Sequence, residues 1–288
     1  MSVRLGLGKL EHTHTNTLQK ETFMSSSQNL PDVGALFGAA ADAGALSADT
    51  LTTLRGSNLG NQIQNALGVS ADAIEASEVV LMTILLDDSG SIRFYAGNTE
   101  AVVEGTNLVV EAVTKSKSVG DVLCHVAMLN KGSWVPYTLI TDVKRMTTSD
   151  LNPNGGTPLY DQAIVTLGTV MAKVQEFRNA GTPCRTVTLL VTDGNDEGSR
   201  KRASDVSKLV RDMLAQETNI IAGMGIDDGR TDFKQVFREM GLEDQWILTP
   251  SNDPSSIRRC FQLFSRSSAA ATQGAASFSQ AFRAGMTP

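Results

Sequence analysis

The chain has 288 residues and a mass of 30.7 kDa, which is enough for one large domain or two smaller ones. Its formal net charge is −6, and 25 Lys and Arg are scattered among 31 Asp and Glu. No basic patch interrupts this acidic background. The charge pattern therefore argues against a general nucleic-acid-binding or anionic-membrane-binding protein. Apolar residues make up 41% and aromatic residues 5%, which indicates a globular core without aromatic stacking platforms.

The three cysteines, Cys124, Cys184 and Cys260, are widely spaced and contain no CxxC pair. This pattern favours buried free thiols in a reducing compartment over a disulfide framework or a metal cluster. The N-terminal 20 residues lack the apolar stretch of a secretory signal. The longest apolar run, Val79–Leu86, is far shorter than the ~20 residues that span a membrane. We therefore expect a cytoplasmic protein.

The N-terminal quarter of the chain divides into two parts. Residues 1–30 are polar and aperiodic, which predicts a flexible arm, and we interpret its HxH pair, His12 and His14, as a solvated tail. Residues 31–77 predict a small extension of short helices, with Ser47 and Ser70 as N-caps. Two apolar helical faces are expected there, formed by Val33, Leu36, Phe37 and Ala40 and by Leu59, Ile63, Ala66 and Leu67.

Residue 78 begins a different pattern, which continues to about residue 265. Near-continuous apolar runs rich in β-branched residues predict strands covered on both faces, at 79–86, 122–129, 186–191 and 220–226. Helical periodicity predicts helices at 158–178 and 200–216, and Asp253 before Pro254 predicts the start of another. A hairpin partner for the second run is expected at 134–140.

This alternation of strands and helices predicts an α/β domain over 78–265, with a doubly wound, mostly parallel open sheet covered by helices on both faces. Residues 266–288 form a Ser- and Ala-rich tail. Phe278 and Phe282, four residues apart, leave two alternatives open for this tail, a short docking helix or a frayed end.

Three loops are expected at the carboxyl edge of the sheet, where doubly wound folds bind their ligands. The first contains a DxSxS motif, Asp87, Ser89 and Ser91, directly after the first strand. The second contains GGTP at 155–158, and the third contains TDG at 192–194. Carboxylate and hydroxyl oxygens on tight loops suit a hard divalent cation that keeps several waters, as Mg²⁺ does.

The order of these motifs resembles the von Willebrand factor A (vWA) domain, and the similarity covers about residues 78–265. The resemblance implies a metal-ion-dependent adhesion site that binds Mg²⁺ or Mn²⁺ through five residues, Asp87, Ser89, Ser91, Thr157 and Asp193. In that family an Asp or Glu of a protein partner typically completes the coordination. The absence of a signal segment and the aromatic-then-Ser-rich stretch at 260–268 resemble intracellular bacterial members associated with tellurium resistance and with MoxR-type ATPases.

Membership of that group would imply a non-enzymatic adaptor or scaffold in a stress-response or defence system. Its partner would be an AAA+ (MoxR-type) ATPase, a phosphatase or a kinase.

Two other functions stay open from the residues. An Mg²⁺-dependent phosphoryl-transfer enzyme would use Asp87 as its nucleophile, but Ser89 stands where such enzymes usually carry a second acid, and no GxxxxGK[ST] loop occurs. A self-assembling structural subunit would use residues 1–77 for association, with the metal site secondary.

Other acidic residues near the motifs receive simpler interpretations. Asp88 is expected to stabilise its loop rather than bind the metal. Asp196 and Glu197 are expected in a solvated loop, with partner docking as the alternative. Asp227 and Asp228 are expected in a turn, with a place at the rim of the site as the alternative.

Overall fold

The computed structural model describes residues 32–55, 59–116, 122–271 and 275–286. The predicted arm at 1–30, with His12 and His14, lies outside the described residues. Strands β1 to β6 are Val79–Leu86, Val122–Met128, Gly132–Leu139, Cys184–Thr192, Asn219–Gly225 and Ile247–Leu248. Helices α1 to α10 are Val33–Asp42, Ala48–Leu54, Leu59–Ala66, Asn98–Thr114, Thr148–Leu151, Leu159–Asn179, Ala203–Leu214, Phe233–Glu239, Pro254–Ala271 and Ala275–Met286.

The six strands form one sheet in the order β3-β2-β1-β4-β5-β6. All neighbouring strands are parallel except β2 and β3, which pair antiparallel at one edge. Every residue of β1, β2 and β5 is buried, as expected of strands covered on both faces. The predicted doubly wound, mostly parallel α/β fold is therefore confirmed, and so is its antiparallel edge.

The pairing register brings the predicted site loops together. In the central pair, Leu85 of β1 lies opposite Leu190 of β4, so the chain leaves both strands at the same level. Asp87 follows β1 by one residue, and Thr192 ends β4, so these two residues emerge side by side at the carboxyl edge. A one-residue shift of this register would turn one of the two side chains to the opposite face.

Helices α1 and α3 pack against α6 with the apolar faces predicted from their spacing, whereas α2 packs mainly against α7; Ile63 is fully buried. Gly168 of α6 permits this close approach, because a Cβ there would lie 2.9 Å from Leu54 Cδ2 and 3.0 Å from Ile63 Cδ1. The Ser47 cap is confirmed, since its Oγ accepts a hydrogen bond from the backbone N–H of Thr50 at 3.3 Å. The prediction that Ser70 is an N-cap is wrong, because its side chain makes no capping hydrogen bond and it precedes only a short 3₁₀ turn.

The C-terminal segment forms two helices. Helix α9 continues through the predicted tail boundary at residue 265 and ends at Ala271. Helix α10 then returns along α9, and Phe282 lies buried with its ring 5.2 Å from that of Trp246. The structure thus shows the docking helix rather than the frayed end; the side chain of Phe278 lies outside the described residues.

All three cysteines are free thiols, as predicted. Cys124 is buried, whereas Cys184 and Cys260 are only partly buried. Burial raises the pKa of Cys124 and Cys184 to about 12 and that of Cys260 to about 11, so the thiols are protonated at neutral pH. No helix in the described ranges has both the length and the apolar character needed to cross a membrane.

A buried ion pair fastens the segment after α3 to α6. Lys173 Nζ donates to Glu176 Oε2 at 2.8 Å and also to the carbonyl oxygen of Val69. The other carboxylate oxygen of Glu176 accepts from the backbone N–H of Ala71 at 2.8 Å. The Lys173 side chain is fully buried and that of Glu176 is 6% exposed, so each charge depends on the other for compensation.

We predict that Glu176→Gln lowers the free energy of unfolding by about 3 kcal/mol, because the variant leaves the Lys173 ammonium buried without a counter-charge. Glu111→Gln is the matched control, because Glu111 forms an exposed i,i+4 pair with Lys115 and its loss should change the stability little. Urea unfolding of both variants provides the measurement. Equal losses in the two variants would show that the buried pair does not fasten this segment.

His125 is a second buried titratable group, in β2. Its Nδ1 lies 2.7 Å from the carbonyl oxygen of Val135, so Nδ1 carries the proton and donates, and its ring lies 5.3 Å from that of Tyr137. Burial lowers the pKa of His125 to about 4. The imidazole is therefore neutral in the folded protein at physiological pH.

We predict a loss of stability at acidic pH that originates at His125. The unfolded chain binds a proton here below about pH 6.5, whereas the folded chain does so only below about 4. The free energy of unfolding therefore falls by about 3 kcal/mol between these pH values. Urea unfolding gives the free energy of unfolding of the wild type and of His125→Gln. The difference between the two proteins should shrink by this amount as the pH is lowered from 7 to 4. Parallel pH profiles would rule out this origin.

Candidate metal centre

Asp87 is fully buried at the end of β1. Its Oδ1 accepts a hydrogen bond from the backbone N–H of Ser89 at 2.8 Å. Its Oδ2 accepts from Thr192 Oγ1 at 2.7 Å and from the backbone N–H of Asp193 at 3.2 Å. These three bonds join the loops after β1 and β4 through a single carboxylate.

The two serines of the DxSxS motif face Asp193. Ser91 Oγ donates to Asp193 Oδ1 at 2.7 Å, and Ser89 Oγ lies 3.3 Å from the same oxygen. The two hydroxyl oxygens lie 2.9 Å from each other. Two serine hydroxyls and one carboxylate from different loops therefore converge within hydrogen-bonding distance.

Thr157 reaches the same place from the GGTP loop. The backbone N–H of Glu197 donates to the Thr157 carbonyl at 2.8 Å, and that of Gly90 donates to Gly155 at 3.1 Å. A Cβ on Gly194 would lie 3.5 Å from Thr157 Oγ1, which places this hydroxyl beside the TDG loop. Within the described parts of the chain the Thr157 hydroxyl makes no hydrogen bond, so its oxygen is available to a ligand.

The structure thus brings all five predicted residues to one edge of the sheet. Asp87, Ser89, Ser91 and Asp193 belong to one hydrogen-bond network, and Thr157 lies next to it. Their role as metal ligands stays a prediction.

Asp88 and Asn130 hold the surrounding loops in place. Asp88 Oδ1 accepts from the backbone N–H of Asn130 at 2.7 Å and from its Nδ2 at 3.0 Å, and the same Nδ2 donates to the Gly156 carbonyl at 2.9 Å. Gly155 has a φ of 122°, and a Cβ there would lie 2.6 Å from Asn130 Oδ1, so this position requires glycine. The predicted loop-stabilising role of Asp88 is confirmed, whereas Asn130 was not predicted.

The site carries negative charge that nothing in the described residues neutralises. Burial raises the pKa of Asp87, although the hydrogen bonds from Ser89, Thr192 and Asp193 oppose the shift. Burial, followed by the charge of Asp87, raises the pKa of Asp193 to about 7. The charge of Asp228 raises the pKa of Asp193 further, by a smaller amount. A cation between these carboxylates would relieve both the repulsion and the cost of desolvation.

The donor set fits a hard divalent cation. It consists of two carboxylates and three hydroxyls, all oxygen donors of the kind that Mg²⁺, Mn²⁺ and Ca²⁺ prefer. In the described ranges no group of three or more His, Cys, Asp and Glu has a metal-binding arrangement. Any cation held here would therefore depend on the serine and threonine hydroxyls and on water for most of its ligands.

The other acidic residues have local partners. Asp196 Oδ1 accepts from the backbone N–H of Tyr160 at 3.1 Å and from Ser199 Oγ at 2.5 Å, so it caps the start of α6. Asp228 Oδ1 accepts from the backbone N–H of Thr231 at 2.7 Å, as expected of a turn residue. A docking role for Asp196 stays a prediction, and its observed contacts are structural.

No protein-family model matches the chain, and no curated protein matches it. The chain resembles solved structures of low sequence identity. The pilus adhesin SpaC of Lactobacillus rhamnosus GG matches with a TM-score of 0.51 and 12% identity, over 68% of this chain and 31% of that one. The von Willebrand factor type A structure from Catenulispora acidiphila matches with a TM-score of 0.44 and 18% identity, over 68% and 43%.

Manganese-loaded TRAP protein of Plasmodium vivax matches with a TM-score of 0.41 and 16% identity, over 64% of this chain and 73% of that one. The chain spans 48%, 31% and 30% of the length of the first three solved chains it matches. At these identities the similarity concerns the fold alone.

We predict that Thr192→Val weakens divalent-cation binding by 10- to 100-fold, because the variant removes the hydroxyl that orients Asp87. Thr188→Val is the matched control, since Thr188 is buried in the same strand and its hydroxyl has no partner among the described residues. Isothermal titration with Mg²⁺ and Mn²⁺ measures both variants. Equal affinities of the two variants would show that the Thr192 hydroxyl does not orient Asp87 for the cation.

Proposed function

We propose that this chain is a vWA-type interaction module that binds Mg²⁺ or Mn²⁺ through Asp87, Ser89, Ser91, Thr157 and Asp193 and thereby binds an acidic residue of a protein partner. One observation carries this proposal: two buried carboxylates of like charge and three hydroxyls converge from three loops at the carboxyl edge of the sheet. When bound, the cation would supply a Lewis-acidic position that accepts a carboxylate from outside.

The side chains have distinct parts in this proposal. Ser89, Ser91 and Thr157 offer neutral oxygens, so the charge of the cation is only partly neutralised and it retains affinity for an external anion. Asp87 is oriented by Thr192 and by two backbone N–H groups, and is positioned before any cation arrives. Asn130 joins the loop that follows β1 to the GGTP loop through its bonds to Asp88 and Gly156.

Binding is favoured over catalysis by the surroundings of Asp87. Its side chain is fully buried, and its two oxygens already accept three hydrogen bonds, which leaves poor access for an in-line attack on a phosphoryl group. We therefore propose a non-enzymatic role.

The self-assembly alternative receives little support from the described helices. The apolar faces of α1 and α3 are buried against α6 of the same chain, so they are not available to a second copy.

We propose, from the sequence resemblance, an adaptor or scaffold that acts in the cytoplasm in a stress-response or defence system. The partner class that the resemblance implies is an AAA+ (MoxR-type) ATPase, a phosphatase or a kinase. Each would contribute an exposed Asp or Glu to the site.

We predict that Thr157→Ala abolishes Mg²⁺-dependent partner binding and leaves the fold intact, because Thr157 contributes a hydroxyl that makes no hydrogen bond in the described protein. Thr141→Ala, at an exposed threonine in the 3₁₀ turn that follows β3, is the matched control. Affinity capture is compared in Mg²⁺ and in EDTA, and circular dichroism checks the fold. Capture that is indifferent to both EDTA and Thr157→Ala would refute the proposal.

The charges of the site provide a second readout that needs no partner. Mg²⁺ or Mn²⁺ should raise the melting temperature of the wild type by mass action and leave that of Asp193→Asn unchanged. Without metal, Asp193→Asn should be at least as stable as the wild type, because it removes the repulsion with Asp87. If Asp193→Asn without metal were markedly less stable than the wild type without metal, repulsion between Asp87 and Asp193 would not be the main destabilising interaction at the site.

A further inference from the structure

The segment that directly follows the DxSxS motif exposes two adjacent aromatic side chains. Phe94 is 76% exposed and Tyr95 is 51% exposed, and they are the large apolar side chains that the described protein leaves exposed. Exposed aromatic pairs are costly in water, and when they lie together they typically mark a surface that a partner covers.

This pair lies at the rim of the candidate metal centre. The 3₁₀ turn Gly90–Phe94 begins inside the motif, immediately after Ser89. At a rise of about 2 Å per residue, Phe94 lies about 6 Å along the turn from Ser91. A protein segment that places a carboxylate at the centre would therefore pass within contact distance of these rings.

The exposure is built into the fold. Ile92 anchors the beginning of the segment, since it is 1% exposed and belongs to the main core. At the other end the backbone N–H of Asn98 donates to the Tyr95 carbonyl at 3.2 Å. Gly97 has a φ of 87°, and a Cβ there would lie 2.9 Å from Pro254 Cγ. Both ends of the exposed segment are thus fixed against the domain.

Arg93 adds a positive charge to the same surface. Its side chain is exposed and makes no hydrogen bond or ion pair with any residue that the structure describes. A guanidinium without a counter-ion beside two aromatic rings is complementary to a segment that carries both negative charge and an apolar side chain. We name these three residues, Arg93, Phe94 and Tyr95, the aromatic rim.

We propose that the aromatic rim determines partner choice at the metal centre: it binds a protein segment in which a large apolar residue lies within two positions of the acidic residue that the metal binds. This inference rests on the proposed function, because it assigns the metal centre a carboxylate partner. The apolar side chain would pack against Phe94 and Tyr95, and Arg93 would favour further acidic residues in the same segment.

Selection from a displayed library tests the preference. Twelve-residue peptides with Asp or Glu fixed at the centre are selected on the full chain in Mg²⁺ and counter-selected in EDTA. We expect the Mg²⁺-dependent binders to be enriched in Leu, Ile, Phe, Trp or Met within two positions of the fixed acid. The double variant Phe94→Ser/Tyr95→Ser should bind them at least 10-fold more weakly, while its affinity for Mg²⁺ alone is unchanged.

The double variant Phe94→Leu/Tyr95→Leu is the matched control, because it keeps the apolar area and should lose less than 3-fold. This inference would be overturned by Mg²⁺-dependent binders that show no apolar enrichment, or that bind the serine variant as tightly as the wild type. Either result would leave the proposed function of the metal centre unaffected. A library that yields no Mg²⁺-dependent binder would overturn the proposed function as well. Sedimentation that shows wild-type dimers and monomers of the serine variant would assign the rim to a second copy and would also overturn the inference.

Discussion

The central constraint on this structure is a pair of like-charged carboxylates, Asp87 and Asp193, held side by side at the carboxyl edge of a buried sheet. The backbone N–H of Asp193 itself donates to Asp87, so the two loops cannot separate without losing that bond. Burial raises the pKa of both groups, and the charge of Asp87 raises that of Asp193 further. Such an arrangement is unfavourable for an isolated domain, and it becomes favourable when a cation lies between the charges. The local destabilisation and the proposed binding function therefore have the same origin.

The rest of the domain keeps these two groups in place. The register of β1 against β4 sets the height at which Asp87 leaves the sheet, and Asn130 joins the first loop to the second. Helix α6 begins directly after the GGTP loop, and its far side is covered by the N-terminal helices through the approach at Gly168 and the buried Lys173–Glu176 pair. The N-terminal extension thus supports the helix that follows Thr157.

Sequence patterns predicted the features that arise from local chemistry. β1 was placed residue for residue because its apolar run is unbroken, and the site residues were placed because parallel strands end at a common edge. Helix α4 was not predicted, because Gly105 interrupts its apolar stripe; Phe261 of another helix covers that glycine, and a Cβ there would lie 2.2 Å from the ring. Asn130 and the exposure of Phe94 were also missed, since both depend on which loops become neighbours in space.

Anomalous diffraction from crystals grown in Mn²⁺ tests the metal centre most directly. We predict one strong manganese peak enclosed by the oxygens of Asp87, Ser89, Ser91, Thr157 and Asp193, and its loss from crystals of Asp193→Asn. A peak elsewhere, or no peak at a saturating concentration of Mn²⁺, would contradict the assignment of this edge of the sheet as a metal-binding surface.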